Sequence, residues 1–349
     1  MAKGSTKHIL VIRLSAMGDV AMTVPVLLAL TKKYSSVQIT FLTKSFMVPI
    51  AKQAPGVRIK IAHVKDKHRG LIGLWRLYRE LKGMGFDAVA DLHNVMRSNI
   101  LTFLFKGAGT PCQQVDKGRK EKKELTVWKE KTIASLKTTH ERYADVFRAL
   151  GYPLELSALD VLPRQERGAL KGLECGPGTK WVGVAPFAAH QGKTYPKVLM
   201  EKVLLALSRQ NEVSVLLFGG GGTERELLEN WARQFQNCTH LSGSLSFVQE
   251  LEVISKLDLM VAMDSSNAHL AAMYGVPTIT LWGVTHPSAG FYPFGQPISN
   301  ALLADRARYP FIPTSVYGNR VPPGYEDVME TIAPIDVVNK INTLLQTTP

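Results

Sequence analysis

Short stretches of mostly apolar residues are the feature that most constrains the fold of this chain. The first, at residues 8–12, contains a continuous apolar run, and further strands are predicted at residues 37–42, 86–91, 181–185, 213–218, 257–263 and 278–282. A continuous apolar run predicts a strand buried on both faces, as in a parallel sheet covered by helices. Helical patterns lie between several of these stretches, at residues 140–151, 198–209, 224–235 and 268–274. Another follows a polar turn at residues 15–19 and continues to about residue 34, with a kink predicted at Pro25. This alternation predicts an α/β protein with doubly wound sheets.

A stretch without periodicity divides the alternating pattern into two halves of similar size. Residues 162–179 are rich in proline and glycine, and a chain of 349 residues is long enough for two domains of about 150 residues each. We therefore expect a first domain over residues 1–165, a second over residues 175–333 and a C-terminal amphipathic helix within residues 334–349. Residues 287–323 form a proline-rich segment that is too long to be a simple connection.

The charge balance predicts an anionic partner. Lys and Arg number 42 against 29 Asp and Glu, which gives a formal net charge of +13. Such an excess is typical of proteins that bind nucleic acid, anionic lipid or phosphorylated small molecules. Arg119, Lys120 and Lys123 lie in a strongly charged stretch that is either a solvated face or a basic lip for an anionic acceptor. Stacking aromatic residues, which single-stranded nucleic acid would need, are almost missing there, so we expect no nucleic-acid partner.

The cysteines and the apolar segments indicate the compartment. The three cysteines are widely spaced and have no histidine neighbours at metal-ligand spacing, which predicts neither disulfides nor a metal site. The apolar stretch near the N-terminus is too short for a secretory signal, and no window is long enough to span a membrane. We expect a cytoplasmic protein, or one peripheral to a membrane face, without a metal or cofactor.

The turn after the first predicted strand is the first candidate site. In a parallel sheet, Ser15, Gly18 and Asp19 would lie at the carboxyl edge, where ligands bind. Gly18 permits close backbone approach, and the N–H groups at a helix start favour anions. Asp19 would repel a phosphate, so it is either a helix cap or a base for a hydroxyl group. The glycine pattern of dinucleotide-binding turns is missing.

The second candidate site follows the strand predicted at residues 257–263. Asp264, Ser265, Ser266 and Asn267 come in succession and open a helix, where N–H groups and the helix dipole can hold a diphosphate. His269 lies one turn further on and either reaches the same ligand or faces the core.

A lysine that could serve the same ligand lies elsewhere in the second half. Lys193 follows the strand predicted at residues 181–185 after a loop and can neutralise a phosphate as a point charge. On its own it is also consistent with an ordinary surface lysine.

Four sequence segments resemble motifs of the family 9 glycosyltransferases, the lipopolysaccharide heptosyltransferases. They are ILVIRLSAMGDVAMTVPVL near the N-terminus, FDAVADLHNVMRS in the first half, KTYP in the second half and MDSSNAHLAAMYGVPTITLWGVTHP near the end. They occur in order over nearly the whole chain. The family's glycine after Asp-Ser/Thr is Ser266 here, and hydroxyl residues that some members place before the motif lysine are Ala188 and Ala189.

The resemblance implies a GT-B fold, with two Rossmann-like domains facing a cleft and the final helix returning to the first domain. It implies inverting, metal-independent transfer of a sugar from ADP-heptose to a lipid-linked anionic saccharide acceptor at the inner membrane surface. Asp19 matches the family's proposed general base, Lys193 the lysine that meets the donor phosphate, and residues 264–269 the donor-binding turn. The first domain would then bind the acceptor and the second the nucleotide sugar.

Two other functions fit the same patterns. One is a nucleotide-sugar epimerase or phosphorylase of the same fold; an epimerase would act on the donor without a saccharide acceptor. A non-catalytic basic protein that binds nucleic acid or anionic lipid would account for the charge but not for Asp19 or residues 264–267.

Overall fold

The computed structural model describes residues 7–167 and 178–347, so most of the predicted linker, including Cys175, lies outside the described residues. The chain divides into two compact units. The first domain comprises residues 1–119 and 137–162, and the second comprises residues 120–136 and 163–349.

Each domain is built on a parallel sheet. The described strands are β1 (Lys7–Ile12), β2 (Val37–Thr43), β3 (Val57–Ile61), β4 (Ala88–Asp91), β5 (Cys112–Gln114), β6 (Lys180–Ala185), β7 (Val213–Leu217), β8 (Cys238–His240), β9 (Leu259–Met263), β10 (Thr278–Trp282) and β11 (Ala301–Leu303). The first sheet has the order β3-β2-β1-β4-β5 and the second β11-β10-β9-β6-β7-β8, with every pairing parallel. The prediction of two doubly wound α/β domains is confirmed.

Helices connect the strands. They are α1 (Met17–Ala21), α2 (Thr23–Lys33), α3 (Val48–Ala51), α4 (Gly70–Lys82), α5 (Met96–Gly107), α6 (Arg119–Leu125), α7 (Thr139–Ala149), α8 (Lys197–Leu207), α9 (Thr223–Gln234), α10 (Phe247–Lys256), α11 (Ser266–Ala272) and α12 (Pro334–Thr347). The helical stretch predicted between the polar turn and about residue 34 is interrupted at Met22 and not at Pro25. Pro25 is tolerated because it lies in the first turn of α2, where a missing N–H breaks no helical hydrogen bond.

Both sheets reverse their winding direction between two central strands. In the first sheet β2 and β3 lie on one side of β1, and β4 and β5 lie on the other. In the second sheet the corresponding strands are β6 and β9. Ligands of doubly wound folds bind at such a switch point, outside the carboxyl ends of the strands. Ligand-binding residues are therefore expected directly after β1, β4, β6 and β9.

Residues 120–136, which the sequence assigned to the first domain, belong to the second. The Trp128 indole N–H donates to the Thr314 carbonyl at 3.0 Å, and Lys131 Nζ donates to the Pro313 carbonyl at 2.8 Å. The Lys122 ammonium lies 4.0 Å from the centre of the Phe291 ring. These contacts attach the segment to the proline-rich residues 287–323, which thereby form a packing surface within the second domain.

The C-terminal helix belongs to the second domain. The apolar face of α12, with Val337, Val338 and Ile341 fully or nearly buried, packs on α8 and β9 and belongs to the core of the second domain. The expected return of this helix to the first domain stays a prediction, since these contacts lie within the second domain. An amphipathic pattern shows that one face is buried, but it does not identify the surface that covers it.

Candidate active site

Asp19 lies at the switch point of the first sheet. Strand β1 ends at Ile12, and the turn through Ser15 and Gly18 leads into α1, which contains Asp19. Asp19 Oδ2 accepts the backbone N–H of Ala16 at 3.1 Å, so the carboxylate caps the start of its own helix. The capping and the functional interpretations of Asp19 are thus compatible.

Arg13 holds the Asp19 carboxylate in place. Its Nη2 lies 2.5 Å from Asp19 Oδ2, and its Nη1 donates to the Leu92 carbonyl at 2.7 Å. The Arg13 side chain is 7% exposed and that of Asp19 26% exposed. The guanidinium also lies over the Tyr143 ring, 5.8 Å from its centre. The buried cation is therefore fixed by several groups, and the carboxylate is the member of the pair that solvent or a ligand reaches.

The residues after β4 complete this edge of the first domain. Asp91 is fully buried, and its Oδ1 accepts the backbone N–H groups of His93 and Asn94, each at 2.9 Å. His93 Nδ1 lies 3.4 Å from the backbone nitrogen of Leu14, beside the β1 turn. Burial lowers the pKa of His93 to about 3, and the nearby Arg13 charge adds to this shift. His93 is therefore a neutral imidazole at any physiological pH.

Two further cations lie close to this edge. Burial lowers the pKa of the Lys117 ammonium, and the neighbouring Arg13 and Arg119 guanidinium groups lower it further. Arg119 Nη2 donates to the Asn94 carbonyl at 3.3 Å. Arg119, a predicted acceptor residue, is thus placed at the same edge as Asp19, whereas Lys120 and Lys123 belong to the second domain.

In the second domain, the structure brings together two of the predicted donor residues. Lys193 Nζ lies 3.3 Å from Asp264 Oδ2, and the side chains are 13% and 10% exposed. Lys193 ends a 3₁₀ turn in the loop after β6, and Asp264 directly follows β9. The pair therefore lies at the switch point of the second sheet. Because Asp264 is ion-paired, its carboxylate orients the lysine and is poorly suited to meet a phosphate itself.

The proline-rich segment confines Lys193. Gly318 has a φ of +80°, and a Cβ built at Gly318 would lie 2.9 Å from Lys193 Cδ. A larger residue at position 318 would displace the lysine, so this part of residues 287–323 positions a candidate site residue.

Two buried hydroxyl groups mark the same edge of the second sheet. Ser265 is the N-cap residue of α11 but makes no side-chain cap bond. Within the described part of the chain, Ser265 Oγ and Thr285 Oγ1 are buried without a hydrogen-bond partner. Orphaned buried hydroxyls are costly unless a ligand or water satisfies them. Thr285 follows β10 and was not predicted from the sequence.

The other predicted donor residues lie on α11. Ser266 and Asn267 occupy its first turn and are partly exposed, whereas His269 is buried one turn further along. Ser266, which replaces the family's glycine, is the first helical residue, so a side chain fits there in ordinary helical backbone.

Neither a metal centre nor a membrane span is found in the described residues. No group of three or more His, Cys, Asp or Glu side chains in residues 7–167 and 178–347 could hold a metal ion. In that same part of the chain, no helix has the length and apolar character needed to cross a bilayer.

The sequence is similar to characterised bacterial proteins. Residues 74–310, more than half of the chain, match the model of glycosyltransferase family 9 (heptosyltransferase). Lipopolysaccharide heptosyltransferase 1 of Pseudomonas aeruginosa is 25% identical over 80% of this chain and 79% of its own length. Lipopolysaccharide heptosyltransferase 3 of Escherichia coli is 23% identical over 94% of this chain and 96% of its own.

Solved structures share the fold. A family 9 glycosyl transferase from Veillonella parvula superposes with a TM-score of 0.71 at 19% identity, covering 99% of both chains. The E. coli heptosyltransferase WaaC, solved with ADP, gives a TM-score of 0.68 at 17% identity over 97% of this chain and 99% of its own. From the matched family model, this chain belongs to glycosyltransferase family 9, the heptosyltransferase family, and is a glycosyltransferase.

Proposed function

We propose that this enzyme transfers a heptose from ADP-heptose to a saccharide of the lipopolysaccharide core, with inversion at the anomeric carbon. Its relatives are lipopolysaccharide heptosyltransferases, and a similar structure contains ADP-2-deoxy-2-fluoro heptose. The observation that carries the proposal is the partly exposed Asp19 carboxylate, which buried Arg13 holds at the switch point of the first sheet. Because a nucleotide sugar is a cytoplasmic metabolite, we place the reaction on the cytoplasmic side of the membrane.

In the proposed reaction Asp19 is the general base. The acceptor hydroxyl attacks the anomeric carbon of the donor while Asp19 takes its proton, and the bond from that carbon to the diphosphate oxygen breaks. Oδ2 is engaged by Arg13 and Ala16, so we assign the proton to Oδ1. Lys117 and Arg119 supply positive charge for an anionic acceptor at this edge.

The second domain would stabilise the leaving diphosphate. Negative charge builds up on it as the glycosidic bond breaks, and Lys193, oriented by Asp264, is the cation placed to meet it. Ser265 Oγ and Thr285 Oγ1 would donate hydrogen bonds to the nucleotide, which would satisfy both buried hydroxyls. Ser266, Asn267 and His269 are proposed as further donor contacts on α11.

A product assay tests this function. The enzyme is incubated with ADP-heptose and a truncated core oligosaccharide, and the oligosaccharide is analysed by mass spectrometry and NMR. We expect a mass increase of one heptosyl unit with inverted anomeric configuration, and release of ADP only when acceptor is present. Chemical change of the donor without acceptor would instead indicate the epimerase alternative. Calorimetry should show tighter binding of ADP than of UDP.

A further inference from the structure

Large apolar side chains are exposed at one edge of the first domain. Leu71, Ile72 and Trp75 of α4 are 72%, 78% and 51% exposed, Met96 of α5 is 79% exposed and Phe46 after β2 is 59% exposed. We call these five residues the apolar rim. Single exposed apolar residues are ordinary, whereas several on neighbouring elements indicate an interaction surface.

The topology places the rim at the carboxyl edge of the first sheet. Phe46 follows β2 and Met96 opens the helix after β4. Since β3 and β4 run parallel, α4 must start at the carboxyl edge and run back to the amino edge. Glu80, near the end of α4, lies 2.8 Å from Lys60 in β3. Leu71 is nine residues earlier, so the first turn of α4 projects about 13 Å further in the carboxyl direction.

Helix α4 is apolar on two opposite sides, and the fold accounts for only one. Leu74, Leu77 and Leu81 are buried in the core of the first domain. Leu71 and Ile72 point away from it and are among the most exposed apolar residues of the described chain. Their exposure contributes nothing to folding, which points to a ligand or surface that covers them.

The surroundings of the rim are positively charged. Residues 60–82 contain seven Lys and Arg but only two Asp and Glu. Lys60 and Lys67 both pair with Glu80, whereas Lys65, Arg69 and Arg76 are exposed and form no ion pair within the described residues. A cationic border around apolar side chains complements a bilayer that contains anionic lipid. A second copy of the chain would bring like charges together.

We propose that the apolar rim docks on the surface of an anionic bilayer, with Leu71, Ile72 and Trp75 inserted among the lipid headgroups. The same carboxyl edge carries Asp19, so docking would hold the base where a lipid-linked saccharide enters. This inference rests on the proposed function for the identity of the acceptor, but vesicle binding tests it independently of sugar transfer.

The first experiment is co-sedimentation of the full chain with vesicles of phosphatidylcholine that contain 30% phosphatidylglycerol. The rim variant L71Q/I72Q/W75Q should bind these vesicles at least about tenfold more weakly than the unmodified enzyme. The matched control is V198Q/L205Q, which removes two exposed apolar side chains of α8 in the second domain. The control variant should bind as the unmodified enzyme does. Circular dichroism confirms that each variant is folded.

A second experiment separates the apolar and electrostatic contributions. Trp75 fluorescence should shift to shorter wavelength on addition of the anionic vesicles, and the shift should be lost in W75F. The variant K65Q/R69Q should bind more weakly, and vesicles of pure phosphatidylcholine should bind the unmodified enzyme poorly.

Equal vesicle binding by the rim variant and the control would overturn the inference. Self-association that the rim substitutions abolish, without vesicle binding, would overturn it too and assign the rim to a second copy. Transfer to a soluble, delipidated oligosaccharide should be unchanged in the rim variant. If no transfer occurs with any acceptor but binding still depends on the rim, the proposed function fails and the docking surface stands.

Discussion

Replacing Asp19 by Asn tests the proposed base with the least structural change. Asparagine has the size of aspartate and can still accept the Ala16 N–H, but it cannot take a proton from an acceptor hydroxyl. Removal of a general base typically lowers turnover by about 10²- to 10⁴-fold, which corresponds to about 3–5 kcal/mol of activation free energy. We expect kcat for heptosyl transfer to fall by that factor, with ADP binding unchanged.

The same substitution has a smaller cost in stability. Arg13 is buried and loses its counter-charge, but it keeps the Leu92 carbonyl and the Tyr143 ring. Since Asp19 is about a quarter exposed, solvent screens the pair, and we expect a loss of about 1 kcal/mol rather than the full cost of a broken buried pair. A loss of this size lowers the melting temperature by a few degrees and cannot cause a hundredfold fall in kcat of the folded enzyme.

Single-turnover kinetics at 25 °C measure the effect on chemistry, and calorimetry with ADP measures donor binding. The control is D87N, because Asp87 also pairs with a cation, Lys7 at 3.2 Å, but lies before β4 at the opposite edge of the sheet. D87N should retain the rate of the unmodified enzyme. A kcat of D19N within threefold of the unmodified value, or an equal loss in D87N, refutes the role of Asp19 as base.

Three further changes test other parts of the structure. K193M should weaken ADP binding about 10- to 100-fold in calorimetry, as expected for the loss of a charged hydrogen bond. The control K197M, on the exposed start of α8, should bind ADP as the unmodified enzyme does. If K193M binds ADP with unchanged affinity, Lys193 is not part of the donor site. The pKa of His93 is about 3 in the folded state and near 6.5 in the unfolded state, so stability should be lost as pH falls through this window. The free energy of unfolding in urea should therefore differ less between pH 7.5 and pH 5 in H93Q than in the unmodified enzyme, by about 1–2 kcal/mol. An unchanged difference contradicts the burial argument. I341A should destabilise the second domain by about 2–5 kcal/mol in calorimetry, while I335A on the exposed face of α12 should have little effect; an effect on the first domain's transition alone would contradict the observed packing.

Central strands could be predicted from the sequence, but edge strands could not. The strands β1, β2, β6, β7, β9 and β10 are mostly apolar because helices cover both faces of the sheet. The edge strand β3 reads VRIKI, where every second residue is charged, and β5, β8 and β11 have three residues each. Such short or half-exposed segments carry too little periodic signal to be separated from loops.

The sequence predicted only part of each candidate site, because it reveals local order but not contacts between distant residues. Asp19 and residues 264–267 follow central strands directly, so local order in the chain places them at a carboxyl edge. Arg13 and His93 gave no such signal, because their roles depend on contacts with residues far away in the sequence. Thr285 gave none because the burial of its unpartnered hydroxyl is visible only in the folded structure. The attachment of residues 120–136 to the proline-rich segment was missed on the same grounds: Trp128 and Thr314 are 186 residues apart.

Each switch point holds a cation paired with a carboxylate, but the two pairs differ in exposure, and this difference supports their proposed roles. In the first domain the cation is buried at 7% exposure and the Asp19 carboxylate is accessible at 26%. A base must be reached by the group it deprotonates, so the accessible member should be the carboxylate. In the second domain both members are largely buried, and the hydroxyls near them have no partner in the described residues. The Lys193 ammonium and the two hydroxyls can therefore donate hydrogen bonds to a bound ligand. A diphosphate can accept hydrogen bonds from both kinds of group at once. Exchanging the charges by D19K and R13D would therefore not restore activity even if the ion pair re-formed, because the accessible member would then be a cation.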